Sequence, residues 1–442
     1  MSRSRPLTSS APRTETQAAA AQPVARWYAL GVITFGYALN IADRYCISTL
    51  VEPIKAEMVL SDAAVGFLTG VALAIFYVTL GIPLAMLADR SNRRNLLAAA
   101  VAAWSVMTAL CGMTQTFLQL MLARIGVGVG EAGGTPASAS LIADLFRPMQ
   151  RPLVFSIFAL GAPLGAWLGS QVAGGIAEAH GWRMAFVLLG LPGVLLAIVI
   201  LATIREPTRG SLDAASPVKV TSKTLTETLS YAWRCRSVFH LIAGGTMLTF
   251  WSWGLMWWTP AFLMRSYGLT VGEAGALLGP LHLIGGTGAL LVTTLVMYLP
   301  VFRDPRAVVR LITFCTLAAT IPSVLVYAGD RALLQPMLWI FVPATYFFIG
   351  PIMGVLQNLV PGGMRAQTTA LLLFTANFAN LVIAPQLLGF ASDWLNALTS
   401  LGLDSLRWVL ACTAPTGLWA AWHMWRCGQT IRKDQHTALA VQ

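Results

Sequence analysis

Long apolar runs recur from one end of this sequence to the other, and they leave few folds open to it. A helix needs about 20 apolar residues to cross the hydrocarbon core of a bilayer, and many runs here reach that length. Hydrophobic residues make up 56% of the 442 residues and charged residues only 11%, whereas a soluble domain carries roughly 25% charged residues. We therefore predict an all-α polytopic membrane protein with no large soluble domain.

Polar breaks divide the apolar sequence into twelve predicted transmembrane helices. Residues 1–25 are a predicted disordered cytoplasmic tail, residues 205–236 a predicted cytoplasmic linker, and residues 429–442 a second cytoplasmic tail. The linker separates two predicted groups of six helices, at 26–204 and 237–428. The predicted spans are 26–51, 62–88, 95–117, 119–145, 150–178, 183–204, 237–264, 270–300, 307–328, 333–360, 365–394 and 405–428.

Lysine and arginine residues are distributed unequally between the two sets of loops. Most of the 29 lie in the tails, in the linker and in the loops on the same side as the amino terminus. Because basic loops stay on the cytoplasmic side of a membrane, we predict that both termini are cytoplasmic. Topology thus accounts for the net charge of +11, and we predict no nucleic-acid partner.

A short pattern at the start of the second span is repeated at the start of the eighth. Residues 61–70 read SDAAVGFLTG and residues 270–279 read TVGEAGALLG. Each begins with a Ser or Thr suited to cap a helix, followed by an acidic residue and by matching Gly, Leu and Gly. Weak internal repeats are typical of transporter folds with a substrate site between two halves, so we predict two pseudo-symmetric six-helix bundles.

Four charged residues lie inside predicted spans, where a charge at the bilayer centre costs about 2.5–3.5 kcal/mol. Asp43 and Arg44 are neighbours in the first span, and Arg124 and Glu131 lie two turns apart in the fourth. Asp43 and Arg124 fall at similar depths, so we predict that they pair. Glu131 lies deeper, and an unpaired carboxylate there suits a group that binds and releases a proton.

The loop between the second and third spans carries a family pattern. Residues 81–94 read GIPLAMLADRSNRR, which resembles the signature loop G-x-x-x-D-R-x-G-R-R of the major facilitator superfamily, with two glycines replaced. The resemblance implies an inner latch formed by Asp89, Arg90 and Arg94. Ordinary positive-inside charge is the alternative. Asp89 is expected to dock at the amino end of the eleventh span, where the helix dipole favours an anion.

The first and fourth spans together resemble the Spinster branch of that superfamily. Residues 124–132 fit the superfamily pattern R-x-x-x-G-x-G-x-A, and they contain the GEA of the Spinster branch. The NIADRY at residues 40–45 is similar to the first helix of that branch. The resemblance is clear over residues 27–205. It implies a major-facilitator-type fold and proton-linked movement of amphiphilic lipids, such as lysophospholipids or sphingosine 1-phosphate.

The same resemblance implies roles for the four intramembrane charges. Asp43 and Glu131 would be the proton-coupling carboxylates. Arg44 and Arg124 would be their charge partners or ligands of a substrate headgroup. A fixed salt bridge that only stabilises packing is the alternative for the two acids.

The second half of the sequence has few charges in its spans but many aromatic residues, which suits the apolar tail of an amphiphile. Each ring could instead face lipid, the asparagines could join helices, and the histidine could be a packed residue. The residues predicted to line a substrate cavity are Asn40, Tyr45, Thr135, Trp251, Trp257, His282, Tyr346, Phe374 and Asn377.

These patterns together predict a proton-coupled secondary active transporter of amphiphilic lipids that works by alternating access. A proton-driven exporter of drugs or organic anions is the second hypothesis. No HExxH, GxSxG or clustered metal ligands occur, and the six cysteines are widely separated, so we predict neither an enzyme nor a cofactor. We expect a multi-pass monomer in a bacterial inner membrane, with the bilayer, protons and an amphiphilic substrate as its partners.

Overall fold

The computed structural model describes residues 23–71, 83–84, 87, 91–209, 212 and 224–440, and every regular element in these ranges is helical. Stretches of π-helix continue several of the α-helices, at Phe67–Val71, Leu168–Val172, Phe250–Gly254, Leu281–Gly286 and Phe378–Ile383. The α-helices are α1 Pro23–Thr49, α2 Val51–Met58, α3 Asp62–Gly66, α4 Arg93–Cys111, α5 Phe117–Leu145, α6 Arg151–Ala159, α7 Gly161–Trp167, α8 Ala173–His180, α9 Trp182–Thr203, α10 Leu225–Arg234, α11 Arg236–Thr249, α12 Leu255–Tyr267, α13 Val271–Pro280, α14 Thr287–Met297, α15 Pro305–Ala328, α16 Arg331–Ala344, α17 Ile349–Leu359, α18 Arg365–Asn377, α19 Ala384–Leu398, α20 Ser405–Thr413 and α21 Thr416–Ala440.

Seven helical segments in the described part of the chain are long and apolar enough to cross a membrane. They coincide with the third, fifth, sixth, eighth, ninth, tenth and eleventh predicted spans. The all-helical membrane fold is therefore confirmed, while the count of twelve and the side of each terminus stay predictions. The seven segments are Arg93–Cys111, Pro148–His180, Trp182–Thr203, Val271–Met297, Pro305–Ala328, Arg331–Leu359 and Gly362–Leu398.

Helices also occur where the sequence analysis placed tails and a linker. Helix α1 begins at Pro23, inside the predicted first tail, and α21 continues to Ala440, through most of the second. The rest of the first tail lies outside the described residues. Helix α10 lies inside the predicted linker. It begins with a capping box in which Thr224 and Glu227 each bind the backbone N–H of the other, which explains how this polar stretch starts a helix.

The N-terminal half is residues 23–209, and the C-terminal half is residues 225–440. Following the predicted orientation, the inner end of the protein contains Arg93 and Arg303, and the outer end contains Arg183 and Arg265.

Both sequence repeats begin with the helix cap that was predicted for them. The Ser61 side chain accepts a hydrogen bond from the backbone N–H of Ala64. The Thr270 side chain accepts one from Glu273, whose carboxylate binds the Thr270 N–H in return. The two halves thus start equivalent helices, α3 and α13, in similar ways.

The glycines of the two repeats lie where one half touches the other. A Cβ atom on Gly66 would come within 2.4 Å of the Pro385 carbonyl oxygen, and one on Gly275 within 2.3 Å of the Ser170 carbonyl oxygen. Real Cβ atoms essentially never approach so closely. The second glycine of each repeat, one turn later, makes a similarly close contact with the other half. The repeat therefore encodes the tight packing of the two halves.

Candidate transport site

Two ion pairs in the middle of the N-terminal half join α1 to α5. The Arg124 guanidinium donates from Nη1 to Asp43 Oδ2 at 2.5 Å, and the Thr108 hydroxyl of α4 donates to Asp43 Oδ1 at 2.6 Å. Arg44 donates from Nε and Nη2 to Glu131 Oε2, at 3.1 and 2.7 Å. The site thus holds two positive and two negative groups that neutralise each other.

The predicted pairing of Asp43 with Arg124 is confirmed. Glu131 is not the unpaired carboxylate that its depth suggested, because Arg44 is its charge partner. Arg44 follows Asp43 in the helix and points about 100° around the axis from it, which brings it to Glu131 while Asp43 binds Arg124. Among the described residues, Glu131 Oε1 and both Nε and Nη2 of Arg124 are buried without a hydrogen-bond partner. The site is therefore paired but not saturated with hydrogen bonds.

Small residues bring the helices of this site close together. A Cβ atom on Gly165 of α7 would come within 2.3 Å of the Ala38 carbonyl oxygen in α1. One on Gly130 of α5 would come within 2.6 Å of the Trp104 backbone nitrogen in α4. Close packing of this kind is typical of membrane helices. It holds α1 against α7 and α5 against α4, on either side of the two ion pairs.

A polar side-chain contact within the C-terminal half lies next to the charged site, and an aromatic ring of the N-terminal half packs against it. His282 Nδ1 and the Tyr346 hydroxyl are 2.9 Å apart. The ring of Tyr45, which directly follows Arg44, packs edge-on against the His282 ring with a centroid distance of 4.8 Å. The imidazole of His282 is completely buried, and its Nε2 has no partner among the described residues. This contact connects the charged helix α1 to the C-terminal half.

A cavity of about 630 Å³ lies between the halves and extends to the inner end. Its volume is in the range of sites for small organic ligands. The walls are mostly apolar and come from both halves, so a ligand here would contact both. Residues that line the cavity include Tyr37, Phe155, Trp253, Met297, Tyr346 and Phe347.

The predicted cavity residues fall in different places. Tyr346 lines the cavity between the halves. Asn40 and Thr135 border a much smaller space inside the N-terminal half. Phe374 is half exposed and Asn377 is half-buried, and neither lines this cavity. Tyr45 and His282 lie above Tyr346, in the polar contact just described.

Trp251 and Trp257 make packing contacts instead of lining the cavity. Trp251 is fully buried in its own half, where its Nε1 donates to Ser323 Oγ at 3.2 Å. Trp257 accepts a hydrogen bond from Ser48 of the other half through its backbone carbonyl, at 2.6 Å. Trp253 lines the cavity in place of Trp251, because two residues along a helix correspond to about 200° of rotation.

The predicted inner latch can be described only at its last residue, since Asp89 and Arg90 lie outside the described residues. Arg94 donates its backbone N–H to Glu206 at 2.8 Å. Its neighbour Arg93, which was not predicted, is buried. Arg93 donates to Glu206 Oε1 at 2.8 Å and also binds Asp144.

These contacts join the inner ends of α4, α5 and the segment after α9 within the N-terminal half. Two adjacent arginines in the sequence give no sign of which one points inward. The positions of the acids at the inner ends of the fourth and sixth spans are the signal that could have identified Arg93.

A cluster of charged residues joins the two halves at the outer end. Arg265 of the C-terminal half donates from Nη2 to Glu52 Oε1 at 2.7 Å and to Asp62 Oδ1 at 2.6 Å. The Asp393 carboxylate accepts the backbone N–H of Asp62 at 3.0 Å, where the start of a helix leaves N–H groups without partners. Sequence reasoning missed this cluster because its residues lie at the ends of spans, where charges are common.

Known proteins resemble this chain in sequence and in structure. The family model described as Major Facilitator Superfamily matches residues 33–385. An MFS-type efflux pump of Mycolicibacterium smegmatis is 33% identical over 419 residues, which cover 93% of this chain and 95% of that protein. The sphingosine-1-phosphate transporter SPNS2 of Danio rerio is 26% identical over 386 residues, with coverage of 83% and 76%. The crystal structure of a bacterial homolog of the human lysosomal transporter Spinster, in an inward-facing and unoccupied conformation, gives a TM-score of 0.80 at 27% identity, covering 94% of this chain and 99% of that one.

Proposed function

The chain belongs to the Major Facilitator Superfamily, in its Spinster branch, and from this premise we propose that it is a proton-coupled transporter of amphiphilic lipids. It is an integral, multi-pass membrane protein and a transporter, not an enzyme. The substrates that we propose are lysophospholipids or lipids like sphingosine 1-phosphate. Proton coupling is assigned to Asp43 and Glu131, and headgroup binding to Arg44 and Arg124.

The observation that carries this proposal is the incompletely bonded ion pair between Arg44 and Glu131. Glu131 is buried, and only one of its oxygens is bound. A proton on the carboxylate would remove its charge and weaken the pair. The Arg44 guanidinium, whose side chain is 11% exposed, would then be able to bind an anionic headgroup, since arginine binds phosphate with two parallel hydrogen bonds. Binding of a proton to Glu131 and binding of a headgroup to Arg44 are thus coupled at one ion pair.

The cavity beside this pair suits the rest of an amphiphile. Its aromatic and aliphatic walls reach from Tyr346, at the level of the charged site, to Arg303 at the inner end. An apolar tail can occupy these walls while a headgroup faces α1. The SPNS2 relative is named for a substrate of this chemical class, which supports a lipid substrate.

The same structure supports transport by alternating access. The outer end is closed by the Arg265 cluster, while the cavity reaches the inner end. We propose that the halves, at 26–204 and 237–428, rock about the central site between this arrangement and its opposite. We further propose twelve spans and cytoplasmic termini in a bacterial inner membrane. The Asp89, Arg90 and Arg94 latch would close the inner end in the alternate state.

A second candidate function is the proton-driven export of drugs or organic anions. The relative from Mycolicibacterium smegmatis, at 33% identity over nearly the full length of both chains, is named as an efflux pump. An apolar cavity between the halves suits many drugs as well as lipids. The two proposals share the proton site and differ in the substrate.

The experiment that separates them measures binding of lysophospholipids, and separately of cationic and anionic drugs, to purified protein from about pH 5 to 8. We expect lysophospholipid affinity to change with pH and the change to be absent in Glu131→Gln. Glu273→Gln is the matched control, because Glu273 is an exposed carboxylate in a capping box that Gln also completes.

Each outcome has a clear meaning. Lysolipid binding without pH dependence would remove Glu131 from the coupling mechanism and retain the lipid substrate. Drug binding without lysolipid binding would favour the exporter. Flux into proteoliposomes that ignores a pH gradient, in wild type and in Asp43→Asn, would overturn proton coupling for either substrate.

A further inference from the structure

A second large cavity lies within the C-terminal half and is separate from the one between the halves. Its volume is about 610 Å³, and it shares no lining residue with the central cavity. It is enclosed by α10, α11, α18 and α21 near the inner end. The walls are almost entirely apolar, and they include Leu229, Trp233, Phe239, Met247, Leu371 and Trp419.

The mouth of this cavity faces the surroundings of the protein through exposed apolar side chains. Leu225, Leu229 and Trp233 lie four residues apart along α10 and are 61%, 44% and 75% exposed. They form one apolar face of a helix whose other face packs on the protein through Thr228 and Ala232. A helix of this kind lies in the membrane interface with its apolar face in contact with acyl chains. The cavity therefore opens to lipid.

Basic residues surround the inner side of the same cavity. Arg236 precedes the lining residue Phe239 by one turn of α11, and Arg426 follows the lining residue His423 by one turn of α21. One turn is about 5 Å along a helix. The Arg426 guanidinium also lies over the Trp422 ring, 6.0 Å from its centroid. Both arginines are thus at the depth of phospholipid headgroups when an acyl chain occupies the cavity.

Two histidines lie between the apolar walls and these arginines. His240 Nδ1 and His423 Nδ1 are 3.0 Å apart, and the His240 ring packs edge-on against Trp422. A hydrogen bond between two imidazole nitrogens uses one donor and one acceptor, so the pair provides polar groups without a fixed charge. The cavity therefore changes from apolar to polar to cationic toward the inner end.

We propose that this cavity is a binding site for an anionic phospholipid of the inner leaflet. One acyl chain occupies the space beneath α10, and the phosphate group binds Arg236 and Arg426 beside the histidine pair. Basic pockets between helices on the cytoplasmic side of membrane proteins bind acidic headgroups in this manner. The apolar wall explains why an acyl chain binds here. The two arginines explain why a negatively charged headgroup is preferred. The site differs in place and in ligand from the proposed transport site.

Thermal unfolding of the purified protein in detergent tests the proposal, with phosphatidylglycerol and phosphatidylcholine of identical acyl chains as probes. A ligand that binds only the folded state raises Tm with a saturable dependence on concentration. We expect phosphatidylglycerol to bind more tightly, by a roughly 30-fold ratio of apparent Kd values, because each arginine near a headgroup contributes about 1 kcal/mol, or about a fivefold factor. Equal shifts by the two lipids would overturn the role of the arginines.

Two variants locate the site. Ala243→Trp fills the cavity, and we expect it to abolish the Tm shift with phosphatidylglycerol. Arg236→Gln combined with Arg426→Gln is expected to remove the preference for phosphatidylglycerol while binding of both lipids is retained. The matched control is Arg147→Gln combined with Arg310→Gln, two exposed arginines of the inner end that do not line this cavity. Loss of preference in the control and not in the test variant would overturn the proposal.

Hydrogen exchange of the wild-type protein tests the same site without any substitution. We expect phosphatidylglycerol to slow amide exchange in α10, because a lipid beneath this helix holds it against α11. Slower exchange confined to other helices would place the lipid elsewhere. Neither measurement involves transport, so its result is independent of the proposed function.

Discussion

The two ends of the protein use buried charges in different ways. At the outer end, Arg265 of the C-terminal half binds Glu52 and Asp62 of the N-terminal half. At the inner end, Arg93 binds Asp144 and other groups that all belong to its own half. Between described residues, the hydrogen bonds that join the halves lie at the outer end and in the middle. The outer charges therefore connect the halves, whereas the inner charges stabilise one half by itself.

This difference shows which contacts a change of conformation has to break. Opening the outer end requires separation of Arg265 from two acids, while the inner network around Arg93 can move as part of a rigid half. Because buried charges lose much of their stabilisation when one partner is removed, the outer cluster sets the stability of the closed outer end. Variants at each end can therefore be ranked by whether their contacts cross between halves.

Arg265→Gln is expected to have the largest effect on the closed outer end, because the contacts that it removes join the two halves. The side chains of Arg265 and Asp62 are each only 3% exposed, and removing one partner of a buried pair costs at most about 3–5 kcal/mol. We expect the outer end to open. Distances between spin labels at Leu118 and Leu403, two exposed outer positions on opposite halves, measure the opening.

Arg183→Gln is the matched control for that variant. Arg183 binds Glu57 at the same end, but this pair lies within one half and is partly exposed, so its loss is expected to change stability by about 0–1 kcal/mol. An unchanged outer distance in Arg265→Gln, or equal opening in both variants, would contradict the role of the cluster in closing the outer end.

Gly275→Ala tests the contribution of close packing between the halves. A Cβ atom within 2.3 Å of the Ser170 carbonyl oxygen requires the backbones to separate, and overpacking of this kind costs about 1–3 kcal/mol. We expect a longer outer distance between Leu118 and Leu403 and roughly tenfold slower transport. Gly175→Ala is the control, because nothing lies within 4 Å of its Cβ position. The same loss in Gly175→Ala would show that helix rigidity is responsible instead.

Tyr346→Phe probes the region between the two ends, where Tyr45 of the N-terminal half packs against His282 of the C-terminal half. The substitution leaves the buried His282 Nδ1 without its partner, and an unsatisfied buried polar group costs about 1–3 kcal/mol. We expect a decrease in Tm and weaker substrate binding, with the spin-label distance between Leu118 and Leu403 unchanged. Tyr298→Phe is the control, since Tyr298 also lines the cavity but is 75% exposed. If the two variants had equal effects, the loss of any hydroxyl from the cavity wall would explain them, and the hydrogen bond to His282 would have no specific role.

Hydropathy and local motifs were sufficient to predict the fold, but only part of the site. The helical membrane architecture follows from apolar length alone, and the pairing of Asp43 with Arg124 follows from depth. The partner of Glu131 depends on rotation of α1, which a one-dimensional pattern specifies only to within one residue. Arg93 and Arg265 were missed for a related reason. Each binds acids that are distant in sequence, so only the packed structure distinguishes it from an ordinary loop arginine.

Asp304→Asn is expected to have the smallest effect, because its contact lies at the inner end and within one half. The exposed Arg432 guanidinium binds the Asp304 carboxylate and lowers its pKa. A lowered pKa in the folded state stabilises the protein above the ordinary carboxyl pKa of about 3.9, and this stabilisation is lost as the pH falls through the folded value. Asn keeps the helix cap that Asp304 provides for α15, so the variant removes only the charge. We expect at most a small decrease in Tm from about pH 7 down to about pH 4, and the same Tm as wild type only when the pH lies below the folded pKa of Asp304. We also expect an unchanged distance between spin labels at Met149 and Val301, exposed inner positions on opposite halves. A change in that distance would mean that inner charges also control how the halves separate, and the difference between the two ends would then disappear.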